Sequence, residues 1–353
     1  MKKASEIINE MQGPSKPKGG RKTSPATRNP KSAAASDQQL LGLMVPGEEQ
    51  VKRTFRVRRP SSRSNVIDIG EQAEQDLGFI ARVFAQMGLP HSDPGDDVRT
   101  FERKNGIYRL KLTADEESHL PYGSIPRVLL AFVGTEAVRT RSREIYLGKN
   151  LSEFLRDKLH MGVTGGARGT ITAVREQAWR LFTCTVSVAV ESSNGTEHRR
   201  RLNKMLIAED IELWWTNKAR NQESLWESRL ELSQKFFEYL LENPVPIDWN
   251  AVRYLSRSSL ALDLYFWLTH RMSYLHHQTT VPWFGPGSLF EQLGSNYEDT
   301  RFGRKNFKTK IVERLKNICD PLVWPECKVR MSEAGLVLHP SPTHIPQKKL
   351  SPR

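Results

Sequence analysis

Apolar positions at helical spacing first gather at Leu77, Ile80, Phe84 and Met87, which predicts a helix closed by Gly88-Leu89-Pro90. The next segment, TFERKNGIYRLKLT, alternates and predicts a hairpin turning at Asn105-Gly106. From Ser124 a longer pattern begins. SIPRVLLAFVGTEAVR reads as a buried helix, REIYLG as a short strand, and NLSEFLRDKLH as a helix capped by Asn150. The Gly-rich turn GVTGGARG leads into a third helix, TITAVREQAWRLF. Two strands, TCTVSVAVE and RRLNKMLIAEDIELWW, follow, joined through Asn194-Gly195.

The order then recurs. SSLALDLYFWLTHRMSYL reads as a long helix, TTVPWF as a strand and GSLFEQLG as a short helix. An amphipathic helix from near Gly303 and a hairpin, VWPECKVRMSEAGLVLHP, turning at Ala334-Gly335, complete it. The intervening ESRLELSQKFFEYLLENPVPIDWNAVRYLS predicts a strand and a short helix. Helix, strand, helix, helix, hairpin is the layout of a winged helix-turn-helix, so the expected fold class is α+β, with two such domains in tandem. The expected boundaries are a disordered basic arm over 1–70, a helix-and-hairpin extension over 71–118, winged domains over 119–226 and 227–340, and a flexible tail over 341–353. The arm is rich in Lys, Arg, Ser, Pro, Gly and Ala, with too little apolar surface to offset the entropy of ordering.

Charge changes this picture most within TRFGRKNFKTKIVERL. Phe307, Ile311, Leu315 and Ile318 form one stripe of a 3.6-residue helix and predict a docked face. Lys305, Thr309 and Lys316 fall opposite, Lys308 lies at the flank, and Arg301 and Arg304 crowd the start. Cations there oppose the helix dipole, which favours Asp or Glu in the first turn. A polyanion arriving at that end would reverse the sign of the penalty, and Arg or Lys at the start of a reading helix can donate to guanine in a major groove. A solvated basic face is the alternative. In the earlier module, Ile171, Val174, Ala178, Leu181 and Phe182 form the stripe. Thr172, Ala173, Glu176, Trp179 and Arg180 are expected to point away from it, with Arg175 at the edge. Arg168, Thr170 and Thr172 are candidates to hold a phosphate, against a core helix with an exposed Trp. Arg199, Arg200 and Arg201, in the first hairpin, are candidates to follow a nucleic-acid backbone or enter a minor groove.

Composition agrees with a polyanionic partner: 53 Lys and Arg against 40 Asp and Glu give a net charge of +13 over 353 residues. Three cysteines, none in a C-x-x-C pair, predict neither a disulfide framework nor zinc. No signal peptide or membrane-spanning run is recognised, so a soluble cytoplasmic protein with no membrane partner is expected. His270, His276 and His277 cluster without ligand-type neighbours, and the carboxylates of SDPGDD read as a solvated loop, so no metal is expected. GVTGGARGT lacks the Gly-Lys-Ser/Thr of a nucleotide-binding loop. No catalytic constellation is present, and neither an enzymatic activity nor a cofactor is expected.

Two blocks, PYGSIPRVLLAFVGTEAVRTRSREIYLGKNLSEFLRDKL and TGGARGTITAVREQAWRLF, resemble the plasmid-encoded RepA replication initiator family, and the similarity runs from about Leu120 to His339. The resemblance implies two winged domains, binding to repeated double-stranded sites at a plasmid origin, and recruitment of host initiator and helicase proteins. It also implies DNA binding as a monomer and self-repression as a homodimer. Its first reading helix corresponds to Thr170–Phe182, with Arg175 and Arg180 at matching basic positions. The sequence departs from the family pattern at Ala173 and Trp179, where basic residues are usual, which shifts the expected affinity to the second module. Two recognition helices would then sit in successive major grooves, about 34–36 Å apart. A winged-helix repressor without an initiator role, and a nicking or priming initiator enzyme, are the alternatives.

Overall fold

The computed structural model describes residues 77–148, 150–193, 198–212, 228–242, 244–295 and 297–345. The basic arm and the Asn194-Gly195 turn lie outside them. Among the described residues the fold is mixed α and β, with four small antiparallel sheets.

The apolar run expected to form one helix from Leu77 is divided between two elements. Leu77–Ala81 is a strand, β1, and only Arg82–Gln86 is helical, α1. β1 pairs with β9 (Pro244–Asp248), Leu77 opposite Asp248 and Ala81 opposite Pro244. Phe79, Ile80 and Ala81 are all buried, so both faces of this strand are covered and its apolar run carries no alternation to separate it from a helix. Its other neighbour is helix α2 (Ile125–Thr140). A Cβ on Gly134 would meet the Phe79 carbonyl oxygen at 2.5 Å, and Thr135 Oγ1 accepts from Phe79 N at 2.9 Å.

The hairpin β2 (Thr100–Asn105) and β3 (Tyr108–Thr113) pairs Asn105 with Tyr108, so its turn is Gly106-Ile107, one residue later than expected. Gly106 has φ +59°, a conformation that costs glycine least. After α2 come β4 (Glu144–Gly148) and α3 (Leu151–Glu153), which runs into a π-helical turn over Phe154–Lys158. Asn150 caps α3, its side chain accepting from Glu153 N at 2.9 Å. Helix α4 (Thr170–Thr183) leads to β5 (Thr185–Ser193) and β6 (His198–Leu206). The long strand expected after the turn divides at Ile207, and β7 (Ala208–Glu212) joins a different sheet.

The second module begins after β8 (Ser228–Leu232), α5 (Gln234–Glu242), β9 and α6 (Trp249–Leu255). It comprises α7 (Ser259–Met272), β10 (Thr279–Pro282), α8 (Leu289–Leu293), α9 (Arg301–Ile318), β11 (Val329–Met331) and β12 (Gly335–Leu338). Its sheet has the order β10-β12-β11, so the single strand closes against the hairpin.

The first module has the same order of elements but different pairings. β4 pairs with β8, and the β5–β6 hairpin is taken up by β3 in a sheet of order β2-β3-β5-β6. The extension and the linker between the modules therefore supply strands that the repeated pattern alone does not anticipate.

Helices α2 and α7 are buried on nearly every side, as expected of helices whose apolar residues are not confined to one stripe. They carry Arg127 and Asp263, which meet in the interior with both side chains 2% exposed. On α7, Tyr265, Phe266 and Trp267 are all buried; Tyr265 lies edge-on to Trp324, and His344 stacks on Trp324 at 5.3 Å between ring centres. His344 Nδ1 also lies 2.9 Å from the Tyr265 hydroxyl. Residues 341–345, expected in a flexible tail, thus pack on the core. No helix among the described residues is long and apolar enough to cross a membrane.

Candidate nucleic-acid interface

Helix α9 has the expected division of faces. Phe307, Ile311, Leu315 and Ile318 are all buried, and Phe307 sits edge-on to Phe290 at 5.2 Å and to Tyr297 at 5.3 Å. The helix starts two residues before Gly303, capped by Thr300, whose Oγ1 accepts from Gly303 N at 3.1 Å. Gly303 is buried beneath the approaching chain, and a Cβ there would meet the Glu298 carbonyl oxygen at 2.2 Å. This fixes how α9 enters from the 298–300 segment.

No acidic residue occupies the first turn. Arg301, Lys305, Thr309 and Lys316 are exposed, and none of the three cations among them has an ion-pair partner among the described residues. The other two cations of that end are restrained. Arg304 bonds Asp299 and lies over the Phe284 ring, 5.2 Å from its centre. That hydrogen bond holds the Asp299 carboxyl below its ordinary range. Lys308 is half-buried, with Nζ 5.0 Å from the centre of the Trp283 ring. Lys310 pairs with Glu313 at 2.9 Å. Asp299, one residue before the cap, is the missing counter-charge to the helix dipole, and the sequence reading overlooked it. So too with Trp283 and Phe284, whose adjacency at the end of β10 was the available signal.

The first module is organised differently. Thr170 and Thr172 do not present free hydroxyls: Thr170 Oγ1 donates to Gly162 O at 2.7 Å and accepts from Thr164 N at 2.9 Å, while Thr172 Oγ1 donates to Gly166 O at 2.9 Å. These bonds fold the glycine-rich turn back onto α4. Arg168 remains exposed on that turn. Arg180, expected to point outward, is buried. Its guanidinium lies 5.3 Å from the centre of the Tyr122 ring and donates to Glu176 and to Leu120 O. An i,i+4 acid and a facing aromatic ring outweigh the helical-wheel expectation. The outward residues Thr172, Arg175, Glu176 and Trp179 form one wall of a cleft of about 770 Å³, closed by Glu117, His119, Ile211 and Glu212. Trp179 is 46% exposed there. Arg199, Arg200 and Arg201 are exposed on β6, and Arg200 pairs with Glu191 across the hairpin at 3.1 Å.

The remaining polar candidates resolve simply. His270 stacks edge-on to Tyr274, and burial pushes its pKa down to about 3. His276 and His277 are exposed. Asp93 Oδ1 accepts from Gly95 N at 3.1 Å within its own turn. Among the described residues no group of three or more His, Cys, Asp or Glu side chains is placed to hold a metal ion.

Among solved structures, the fold is similar to a crystal structure of selenomethionine derivatives of domains 2 and 3 of RctB, at 12% identity and a TM-score of 0.46, covering 73% of this chain and 97% of that one. A second RctB structure of domains 2–3 matches at 13% identity and a TM-score of 0.43, covering 73% and 94%. No curated protein matches significantly. Residues 120–283, from the end of the extension through β10, match the family model for plasmid-encoded RepA protein. Over that stretch, a little under half of its length, the chain is similar to the plasmid-encoded RepA family.

Proposed function

We propose that the chain is a replication initiator that acts as a sequence-specific double-stranded DNA-binding protein whose main reading element is α9. The observation that carries the reading is the division of α9 into a buried apolar stripe and an exposed face on which Arg301 and Lys305 stand at the positive end of the helix dipole with no ion-pair partner among the described residues. In this reading the second module is a winged helix-turn-helix, with α8 and α9 as the helix pair and β11–β12 as the wing, consistent with the sheet order β10-β12-β11. The first module is a second winged domain whose sheet has been extended by neighbouring strands. Arg168 and Arg175 contact phosphates, and Arg199 and Arg201 follow the backbone from the β5–β6 hairpin. Binding to repeated origin sites distorts adjacent DNA and brings in host initiator and helicase proteins, without covalent catalysis by this chain.

The test is binding to DNA flanking the gene, read by fluorescence anisotropy at several salt concentrations. Replacement of Arg304, Lys305 and Lys308 by Ala leaves the fold intact and weakens binding. Lys305→Ala has the largest single effect, because Arg304 and Lys308 are held on Phe284 and Trp283. A residue that reads a base costs about 1–3 kcal/mol and relaxes one position of the site, whereas one that touches phosphate lowers the salt slope by about one. If the triple variant binds as the native chain does at every salt concentration, the assignment is wrong. Site-specific nicking of supercoiled origin DNA in Mg²⁺ would overturn the non-catalytic part.

A further inference from the structure

Although the chain is strongly basic, its extension carries an exposed acidic corner. Asp96 and Asp97 in one loop, and Asp115, Glu116 and Glu117 in the turn after β3, are all exposed. The two segments lie side by side, with Asp96 Oδ1 3.7 Å from His119 Nδ1. Arg99 pins the turn through the carbonyl oxygens of Asp115 and Ser118, and Asp115 Oδ2 accepts from Glu117 N at 3.4 Å within it. No Lys or Arg among the described residues pairs with any of the five.

The complementary feature lies in the second module. A cleft of about 560 Å³ opens where the end of α6 and the start of α7 meet the second half of α9. Arg253, Arg257 and Arg314 line it with Tyr254, Ser258 and Asn317, and no carboxylate does. Ser258 caps α7, its Oγ accepting from Ala261 N at 3.2 Å, so the positive helix end adds to the same field. Arg257 and Arg314 have no ion-pair partner among the described residues. Arg314 stands about 140–180° around α9 from Lys305, Thr309 and Lys316, so the cleft does not share the face assigned to the duplex. Its size suits an inserted turn, and arginine forks match carboxylates bidentately.

We propose that this cleft receives the acidic corner of a second copy of the chain. Most of two copies carrying +13 each would repel, and here opposite signs are presented at two separate places on every copy. The contact is heterologous: a cleft in the second module takes a corner of the extension, and each bound copy still offers one free half at either end. Copies therefore associate head to tail, and this needs no DNA.

Sedimentation velocity of the full chain without DNA tests it, over a concentration series at low and high salt. The native chain self-associates at low salt and less at high salt, as screening requires. A cleft variant, Arg257→Glu with Arg314→Glu, and a corner variant, Asp115→Lys with Glu116→Lys and Glu117→Lys, each associate about tenfold more weakly or worse. Mixed in equal amounts they associate again, through the native cleft and corner and through the reversed cleft and corner, whose charges are once more opposite. The milder Arg257→Gln with Arg314→Gln falls between native and reversed charge, and circular dichroism melts matching the native chain establish that the variants fold. A native chain that stays monomeric throughout, or a mixture that stays monomeric, overturns the proposal. A cleft variant that self-associates normally but loses salt slope on a single duplex site also overturns it, in favour of phosphate in the cleft. Because association is read without DNA, its failure is distinct from failure of the DNA-binding reading.

Discussion

Replacing Asp263 by Asn tests how the two modules are joined. Arg127, on α2, donates Nε to Asp263 Oδ1 and Nη2 to Oδ2, both at 2.6 Å. The rest of the guanidinium is used on carbonyl oxygens, Nη2 to Leu89 at 2.7 Å and Nη1 to Pro90 at 3.1 Å. His91 Nε2 lies 2.9 Å from the same carboxylate, and a Cβ on Gly88 would meet Asp263 Oδ2 at 2.0 Å. Asn keeps the shape but removes the charge, and its amide turns a donor toward a fork that is all donors. Breaking a buried ion pair by removing one partner costs about 3–5 kcal/mol. Since one carbonyl oxygen survives and the backbone acceptors remain, the lower end applies. About 3 kcal/mol changes the folding equilibrium roughly 150-fold. For a unit of this size it lowers Tm by about 6–12 °C. Urea unfolding at pH 7.5, followed by far-UV circular dichroism, reads the loss from the midpoint and slope. In a cycle with Arg127→Met, the double variant should lose less than the sum of the singles by about 2 kcal/mol or more. A loss under about 1 kcal/mol for Asp263→Asn, or strict additivity in the cycle, would refute the reasoning.

Acid should weaken the same region. Burial raises the Asp263 pKa, but the Arg127 charge and the bonds from His91 and Arg127 outweigh it and leave the carboxyl below its ordinary range. The unfolded chain then takes this proton first, so the stabilisation is present above about pH 3.9 and is lost as pH falls toward the folded value. Burial lowers His91 and takes His270 to about 3, so the unfolded chain also protonates first at both histidines, and stability begins to fall below about pH 6.5. The urea midpoint therefore declines steadily from pH 7 to pH 4, and His91→Gln shallows the decline; a midpoint flat over that range contradicts it. Gly303→Ala, which on an open helix face would gain up to about 1 kcal/mol, instead destabilises the chain and weakens DNA binding, because the new Cβ would collide with the Glu298 carbonyl. A stabilised variant in the same melt would show the entry to α9 to be loose. Asp299→Ala frees Arg304 and removes a carboxylate from the reading end, so affinity for duplex DNA rises and its salt dependence steepens; an unchanged titration would place Arg304 away from the duplex.

The second module was legible because its pattern is local. The stripe at Phe307, Ile311, Leu315 and Ile318 and the final hairpin are each set by residues a few positions apart. What escaped was set from far away. β1 is a strand because β9, more than 160 residues later, covers one of its edges. β4 pairs with β8 across the linker, a partner that no spacing within 144–148 reveals. Arg180 turned inward because Tyr122, beyond the preceding helix pair, offers a ring, and a helical wheel sees only neighbours on the same helix.

These misses share a direction. Each draws a strand or side chain of the first module into contacts with the extension or the linker: β3 onto the β5–β6 hairpin, β8 onto β4, the 117–119 turn onto the outward face of α4. The corresponding elements of the second module stay open, with β11 at a sheet edge and the face of α9 uncovered. The outward face of α4 lines a cleft with Glu117, Glu176 and Glu212, which leaves only Arg168 and Arg175 suited to phosphate, whereas α9 presents Arg301, Lys305 and Lys316 with no ion-pair partner among the described residues. The replacement of expected basic residues by Ala173 and Trp179 fits this division. Two modules with the same order of elements have thus been given different surfaces by what packs around them. The pairing of Arg127 with Asp263 holds those surfaces in one fixed relation, so loosening it would change how both reach a single duplex even with every surface residue intact.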